Sequence, residues 1–275
     1  LGQQEKAFSL YSEIANARDY YGFLAADKLN KPYNFNNKPL QYNNEIVKTM
    51  RRHPALARAR ELFRLHRFPD ARREWNTMFS SLNQEQKCAA AKLADEWGWH
   101  SRAIAAVASI KEFDDLELRF PRAHSSTFGK YTEIFLVELG YTLAIARQES
   151  IFVIDARSPS GALGIMQIMP TTGQYIATKL VVPSFKVQHL LNPQINIRYG
   201  IWYLRKLLDS FDQHIALSTA AYNAGPGRVR SWAPEKNPIP ADIWVETIPF
   251  NETRHYVRRV LEYTTVYEMM LAQTY

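Results

Sequence analysis

Residues 147–150 read Arg-Gln-Glu-Ser and residues 158–170 read Ser-Pro-Ser-Gly-Ala-Leu-Gly-Ile-Met-Gln-Ile-Met-Pro, which places one carboxylate between an apolar segment and a glycine-containing turn. Upstream, Tyr141 and Ile145 are one helical turn apart, and the residues between them are mostly apolar. This spacing predicts a helix that ends at Glu149. A similar pattern follows at 220–229, where Ala-Ala-Tyr-Asn-Ala-Gly-Pro-Gly-Arg-Val predicts a helix that stops in a Gly-Pro-Gly turn.

Glu149 is the first candidate for chemistry in this chain. A carboxyl group among apolar neighbours has a raised pKa, because burial disfavours its charged form. Such a group can still hold a proton near neutral pH and donate it to a leaving oxygen, which is what cleavage of a glycosidic bond requires. The position of Glu149 at the end of an apolar helix therefore points to an acid catalyst of that kind.

A second carboxylate, which most glycosidases use, is not marked by any motif. Asp155 is near in sequence but lies in an Asp-Ala-Arg-Ser-Pro turn, so we expect it to be a cap or turn residue. Asp242, Glu246 and Glu252 are the other candidates in the C-terminal third. The alternative is that Glu149 serves first as acid and then as base.

Four separated motifs resemble those of the soluble lytic transglycosylases, in the order in which that family carries them. They are Glu-Ser at 149–150, Gly-Ala-Leu-Gly-Ile-Met-Gln-Ile-Met-Pro at 161–170, Ala-Tyr-Asn-Ala-Gly at 221–225 and Val-Glu-Thr-Ile-Pro-Phe at 245–250. The resemblance covers about residues 122–275 well, and the helical region before it is similar to the part that precedes the catalytic domain in large periplasmic members. This chain departs from the family pattern at Val153-Ile154, where Asn-Pro is usual.

The resemblance implies a lysozyme-like helical catalytic domain and an activity on peptidoglycan in the periplasm, in cell-wall degradation and recycling. Members cleave the β-1,4 bond between N-acetylmuramic acid and N-acetylglucosamine without water and leave a 1,6-anhydro sugar. Glu149 is then the single acid and base. The residues that the resemblance places at the substrate are Ser158, Gln167, Met169, Tyr222, Asn223 and Glu246.

Composition limits the alternatives. Apolar residues make up 46% of the chain, and no apolar run is long enough to span a membrane. The net charge of +7 suits an anionic partner such as peptidoglycan strands and muropeptides. The single Cys88 is expected to be a small buried residue, and the seven His show no metal-ligand spacing, so we expect neither metal nor cofactor.

The pattern along the chain predicts an all-α protein, with a helical-repeat solenoid before the lysozyme-like domain. We expect the end of an N-terminal helical domain at 1–42, a helical linker domain at 43–121 and the catalytic domain at 122–275. A helical pair at 3–29 precedes a connector at 30–41, and breaks near Pro54, Pro69, Asn83 and Gly98 predict short helices of similar length. The predicted helices of the catalytic part are 131–149, 170–180, 193–211, 213–223 and 251–271, with a long loop at 232–248.

Two rival functions stay open at this stage. A true lysozyme would hydrolyse the same bond with water, and a non-catalytic protein would only bind peptidoglycan. Binding of nucleic acid by the helical repeat is not expected, because the basic residues form no stripe interleaved with aromatic ones. The chain begins as if within a helix and shows no signal peptide, so we expect it to be part of a longer protein.

Overall fold

A computed structural model describes residues 3–234 and 239–273 of the chain. In these ranges it contains sixteen α-helices and one 3-10 helix, and its only β-type pairs are isolated antiparallel bridges from Leu163 to Arg157 and to Ile168. The predicted all-α class is confirmed. The fold divides into two compact units. Unit 1 comprises the chain up to residue 36, residues 124–150 and the chain from 156 onward, and unit 2 comprises residues 37–123 and 151–155.

The N-terminal helices of unit 1 are α1 (Gln4–Ile14) and α2 (Tyr20–Lys28), which form the predicted pair. Helix α2 begins after Asp19, whose side chain accepts a hydrogen bond from the Gly22 N–H and so caps the helix. The segment that follows, which was predicted as a connector, has no helix up to residue 43.

Unit 2 is built from short helices that begin and end at the predicted breaks. They are α3 (Asn44–Arg51), α4 (Pro54–Arg64), α5 (Phe68–Phe79), α6 (Gln84–Glu96), α7 (His100–Ser109) and α8 (Leu116–Arg119). Asn83 begins α6 with a capping box. Its side chain accepts a hydrogen bond from the Gln86 N–H, and the Gln86 side chain accepts one from the Asn83 N–H.

The core of unit 2 combines small and aromatic side chains. Ala89, Ala90 and Ala91 on α6 are fully buried, and their small size lets α3 and α7 pack closely against this helix. The rings of Phe63 and Trp99 stack with their centres 4.7 Å apart. Cys88 is buried in the same core, as predicted.

Unit 1 continues with a bundle around one central helix. Its further elements are α9 (Ser125–Phe135), α10 (Leu139–Ser150), α11 (Pro170–Lys179), a 3-10 helix (Val187–Leu191), α12 (Pro193–Ser210), α13 (Ile215–Ala224), α14 (Pro226–Trp232), α15 (Ala241–Thr247) and α16 (Asn251–Ala272). Every residue of α10 from 140 to 147 is buried, which is typical of a helix enclosed on all sides. Helix α16 packs along it, and the carboxyl end of α10 carries Glu149.

Two sequence predictions for unit 1 are wrong. The predicted helix 131–149 is two helices, because Leu136 adopts a left-handed conformation (φ 53°) and the Val137 N–H bonds to the Thr132 carbonyl at 3.1 Å. A helix that ends in a left-handed residue usually has glycine or asparagine there, so the leucine did not indicate a helix end. The predicted loop 232–248 contains α15, which buries Trp244 and Val245. Of the prolines that suggested this loop, Pro234 and Pro240 flank helices, and Pro238 lies outside the described residues.

The close packing of α12 against the 158–169 turn yields a stability prediction. A Cβ on Gly200 would overlap Met166 Sδ and lie 2.8 Å from Met166 Cβ, whereas a Cβ on Gly129 of α9 would meet nothing within 4 Å. We expect Gly200→Ala to lower the free energy of unfolding by about 1–3 kcal/mol. Gly129→Ala should raise it by up to about 1 kcal/mol, because alanine favours the helix. Urea unfolding of the two variants measures this difference. Equal changes in the free energy of unfolding would contradict the close packing of Gly200 against Met166.

Candidate active site

Glu149 lies at the end of α10 and is held by a residue of α16. The Tyr256 hydroxyl donates a hydrogen bond of 2.6 Å to Glu149 Oε1. Tyr256 itself is buried, and Glu149 is half-buried. One carboxylate oxygen is therefore occupied by Tyr256, which leaves Oε2 to carry a proton.

The surroundings of Glu149 keep it protonated to a higher pH than an ordinary glutamate. Burial raises the pKa of this carboxyl from its ordinary value of 4.5 to about 7. The hydrogen bond from Tyr256 opposes this rise, and the negative charge of Glu252 adds to it. Near neutral pH a large fraction of Glu149 therefore holds a proton that it can donate.

Two tyrosines enclose the carboxyl group. Burial and the charge of Glu149 raise the pKa of both Tyr222 and Tyr256 well above the usual value, so both hydroxyls stay protonated. The Tyr222 hydroxyl donates to the Met166 carbonyl oxygen at 2.9 Å. Tyr222 therefore connects α13 to the 158–169 turn close to Glu149, while Tyr256 contacts the carboxylate directly.

The 158–169 turn is fixed in place by a buried asparagine. Asn196 of α12 is fully buried; its Oδ1 accepts from the Met166 N–H at 2.7 Å, and its Nδ2 donates to the Leu163 and Leu190 carbonyl oxygens, each at 2.8 Å. On the other side, Ser150 Oγ donates to the Ile165 carbonyl oxygen at 2.7 Å. The residue after Glu149 thus ties the turn to the end of α10.

Three of the predicted substrate residues belong to this turn. Ser158 Oγ accepts from the Ala162 N–H at 2.9 Å, and Gln167 Nε2 donates to the Gly164 carbonyl oxygen at 2.8 Å, so both stabilise the turn. Met169 is 38% exposed and precedes α11. Their contacts with substrate stay predictions.

The other predicted substrate residues have partners within the protein. Asn223 follows Tyr222 on α13, and its Oδ1 accepts from Thr253 Oγ1 at 2.7 Å, which joins α13 to the first turn of α16. Glu246 is exposed on α15 and forms a two-point ion pair with Arg258, while the Tyr21 hydroxyl donates to Glu246 Oε1 at 3.2 Å. A substrate contact of Glu246, which stays a prediction, would compete with Arg258.

The other candidate carboxylates have partners of their own or lie near Glu149. Asp155 lies in a turn, as predicted, and Arg72 holds both of its oxygens, at 2.7 and 2.8 Å, within unit 2. The sequence around Asp155 indicates only the turn and not its ion-pair partner Arg72, which is distant along the chain. Asp242 forms an ion pair of 3.2 Å with Lys28. Of the carboxylates in the described part of the chain, only that of Glu252 raises the pKa of Glu149 by its charge.

Sequence reasoning missed Tyr256 and Asn196. Tyr256 shares the buried face of α16 with Val257 and Val260, so its spacing is that of any core residue. The one available signal is its hydroxyl, because a buried tyrosine needs a hydrogen-bond partner. Asn196 offered a similar signal as a polar residue on the apolar face of α12.

Neither a metal cluster nor a membrane span is found in the described ranges. Within them no group of three or more His, Cys, Asp or Glu side chains is arranged to hold a metal ion. None of the helices there combines the length and the apolar character needed to cross a membrane. The thiol of Cys88 has a pKa that burial raises, so it stays protonated in the core of unit 2.

Comparison with known families matches three parts of the chain. The Transglycosylase SLT domain matches residues 126–243, the Soluble lytic murein transglycosylase L domain matches 49–116, and the Soluble lytic transglycosylase helical domain matches 247–274. Soluble lytic murein transglycosylases from Salmonella typhimurium and from Escherichia coli K12 are each 34% identical to this chain, over 99% and 98% of it. The chain spans 42% of the length of either relative.

Solved structures show the same likeness. The 70 kDa soluble lytic transglycosylase of Escherichia coli superposes with a TM-score of 0.92 at 34% identity, covering 98% of this chain and 44% of that one. An inactive mutant of the lytic transglycosylase Slt from Pseudomonas aeruginosa, with Gln in place of a Glu, superposes with a TM-score of 0.88 at 39% identity. That match covers 96% of this chain and 43% of the Pseudomonas chain.

The raised pKa of Glu149 gives the stability of the protein a defined pH dependence. The folded chain binds this proton more tightly than an ordinary glutamate does, so the stabilisation is complete below about pH 4.5 and is lost as pH rises through about 7. Glu149→Gln keeps an acceptor for Tyr256 and does not titrate. From about pH 4 to pH 8, the free energy of unfolding of the parent should fall relative to the variant by roughly 3 kcal/mol. Denaturant unfolding of both proteins across this pH range measures the fall. If the two free energies of unfolding changed in parallel with pH, this would contradict the burial of the carboxyl.

The fit of the turn against Asn196 gives a second prediction. Gly161 and Gly164 both have positive φ, of 91° and 76°, but a Cβ would meet nothing at Gly161 and would lie 2.5 Å from Asn196 Nδ2 at Gly164. Both alanine variants should lose about 1 kcal/mol from backbone strain. Gly164→Ala should lose roughly 2 kcal/mol more, because it displaces buried hydrogen bonds. Thermal unfolding of the two alanine variants measures that difference. Equal losses of stability in both would contradict the close contact between Gly164 and Asn196.

Proposed function

Because the chain belongs to the soluble lytic transglycosylase family, we propose that it cleaves the β-1,4 bond between N-acetylmuramic acid and N-acetylglucosamine in peptidoglycan, without water. The observation that carries this proposal is the carboxyl of Glu149 at the end of the central helix, which Tyr256 holds and whose pKa burial raises. The relatives are named as murein transglycosylases, which supports peptidoglycan strands and muropeptides as substrate. It also supports a role in cell-wall degradation and recycling in the periplasm.

The first step of the proposed reaction is proton transfer from Glu149 Oε2 to the glycosidic oxygen. The bond from that oxygen to C1 of the muramyl unit breaks, and positive charge develops on the sugar ring. The Tyr256 hydroxyl, which already bonds to Oε1, stabilises the carboxylate that results, since a hydrogen bond to an ionised group is stronger than one to a neutral group. Tyr256 thus makes Glu149 a better proton donor, and its hydroxyl stays on Oε1 throughout the step.

In the second step the Glu149 carboxylate acts as base. It takes the proton from the C6 hydroxyl of the muramyl unit, and that oxygen closes on C1 to give the 1,6-anhydro ring. Glu149 thereby regains a proton from the C6 hydroxyl in place of the one left on the glycosidic oxygen, so no water is consumed and the enzyme is ready for another bond. This sequence needs only one carboxylate, which agrees with the ion pairs that hold Asp155, Asp242 and Glu246.

Around this centre we assign supporting roles by the family pattern. Ser158, Gln167 and Met169 contact the sugars from the 158–169 turn. Tyr222 and Asn223 form the opposite side next to Glu149, and Glu246 contacts the N-acetyl or peptide groups. We also propose the domains 1–42, 43–121 and 122–275 as the end of an N-terminal helical domain, a linker domain and the catalytic domain.

One observation favours a second candidate function. The charge of Glu252 raises the pKa of Glu149, so Glu252 lies near enough to be the candidate for a base that activates water. In that case the protein would be a lysozyme that hydrolyses the same bond. The two functions differ in their products, because hydrolysis leaves a reducing muramic acid that is one water heavier than the 1,6-anhydro form.

Mass spectrometry of digested peptidoglycan tests the proposal. The parent should release anhydro-muropeptides, Glu149→Gln should release none, and Glu252→Gln should keep the same products. Products one water heavier that disappear in Glu252→Gln would establish the lysozyme instead. No products from the parent would make the chain a binding protein.

The role of Tyr256 gives a separate prediction. Tyr256→Phe removes the hydrogen bond that stabilises the carboxylate, so kcat should fall by about 10- to 100-fold. The pKa of Glu149 should rise further, and the alkaline limb of the pH–rate profile should move to higher pH. Tyr21→Phe is the matched control, because its hydroxyl contacts Glu246 and not Glu149. An unshifted alkaline limb would show that Tyr256 has only a packing role.

A further inference from the structure

One buried cation of unit 1 has no part in the mechanism above. Arg147 lies two residues before Glu149 on α10, and only 5% of it is exposed. A guanidinium keeps its charge in a protein, so burying Arg147 costs free energy that other groups must offset. Arginine is therefore seldom fully buried unless partners on neighbouring elements hold it.

The groups that hold Arg147 lie on α16. Its Cζ atom lies 4.0 Å from the centre of the Tyr263 ring, within the range in which an aromatic face attracts a cation. Burial raises the pKa of both Tyr267 and Glu262, and the positive charge of Arg147 opposes each rise, so both groups lie near it. All three α16 side chains are buried, which shields these attractions from water.

The last turn of α10 is fixed to α16 at two points. Tyr256 and Tyr263 are seven residues apart, which is about two helical turns, so they share one face of α16. The Tyr256 hydroxyl bonds to Glu149 Oε1 at 2.6 Å, and the Tyr263 ring faces the Arg147 guanidinium. A single attachment would let the helix end turn about it, whereas two attachments set its direction.

Arg147 acts on Glu149 through position rather than through charge. Among the described residues, the groups that shift the pKa of Glu149 besides its burial are Tyr256 and Glu252, and Arg147 is not one of them. A buried charge also restricts how two helices pack, because a shift away from its partners leaves it unpaired in a medium of low dielectric constant.

We propose that Arg147 is a positioning residue, which holds the end of α10 against α16 so that the Glu149 carboxyl meets the Tyr256 hydroxyl. Tyr263 supplies the ring against which the guanidinium packs, and Glu262 supplies the opposite charge. This role rests on the proposed function, in which Glu149 is the proton donor, and it adds a residue that does not touch the substrate.

The pKa of Glu149, measured by NMR titration of its 13C-labelled carboxyl, tests this role without turnover. Arg147→Met keeps an unbranched side chain and removes the charge. The midpoint of Glu149 should then rise above that of the parent, because a weaker bond from Tyr256 no longer opposes the effect of burial. In the turnover assay kcat should fall about tenfold at unchanged KM. A midpoint that stayed the same or fell would overturn the proposal.

A double-mutant cycle separates positioning from a general loss of packing. In a Tyr256→Phe background no hydroxyl is left to position, so Arg147→Met should change the acid dissociation constant of Glu149 by less than about twofold. An equally large change with and without the Tyr256 hydroxyl would overturn the proposal.

Two variants of the ring keep the test independent of whether Arg147→Met folds. Tyr263→Leu removes the aromatic face and should raise the midpoint of Glu149 as Arg147→Met does. Tyr263→Phe keeps the face and should behave as the parent. Equal midpoints in these two variants would contradict the role of the ring contact.

The matched control removes a positive charge from the same cluster. Arg259 pairs with Glu262 at 3.0 Å, but it lies on α16 itself and its side chain is 55% exposed, so it does not connect the two helices. Asp19, which caps α2, is the other charged group that acts on Glu262. Arg259→Gln should leave the midpoint of Glu149 unchanged, and a rise equal to that in Arg147→Met would overturn the proposal.

Failure of the proposed function is recognised separately. It would appear as the absence of anhydro products from the parent, whereas the midpoints of Glu149 in the parent and the variants are measured without substrate. The two outcomes therefore do not depend on each other.

Discussion

The hydrogen bond from the Tyr256 hydroxyl to Glu149 Oε1 is the interaction on which the candidate site depends. It joins the end of α10 to the buried face of α16, and these two helices form the centre of unit 1. The same bond fixes one oxygen of the carboxyl, and burial raises the pKa of the group to about 7. Packing and the proposed chemistry are therefore linked, because the helix contact that builds the core also holds the carboxyl that we propose as the proton donor.

The second constraint is the rigidity of the turn that faces Glu149. Asn196 satisfies three backbone groups of this region from inside the core, and Gly164 leaves just enough room for it. Such a buried polar group is stable only when its partners are in place, so it specifies one conformation of the turn. The residues assigned to sugar contact lie on this turn and take their positions from that network.

The sequence predicted the helical class and the starts of the unit 2 helices, and it singled out Glu149 as a candidate, because helix periodicity, proline and asparagine starts and a lone carboxylate are local signals. It failed where the cause is distant along the chain. The partner of Asp155 is Arg72, and the partner of Glu149 is Tyr256, more than one hundred residues away. The break at Leu136 was missed for another reason, since its left-handed backbone occurs at a residue that rarely adopts it.

The most direct test of the account is the pKa of Glu149, measured by NMR titration of the side-chain carboxyl in 13C-labelled protein and assigned with Glu149→Gln. We predict a midpoint near 7 for this one glutamate. A midpoint near the ordinary value of 4.5 would show that the carboxyl is ionised at neutral pH and would contradict its role as the proton donor.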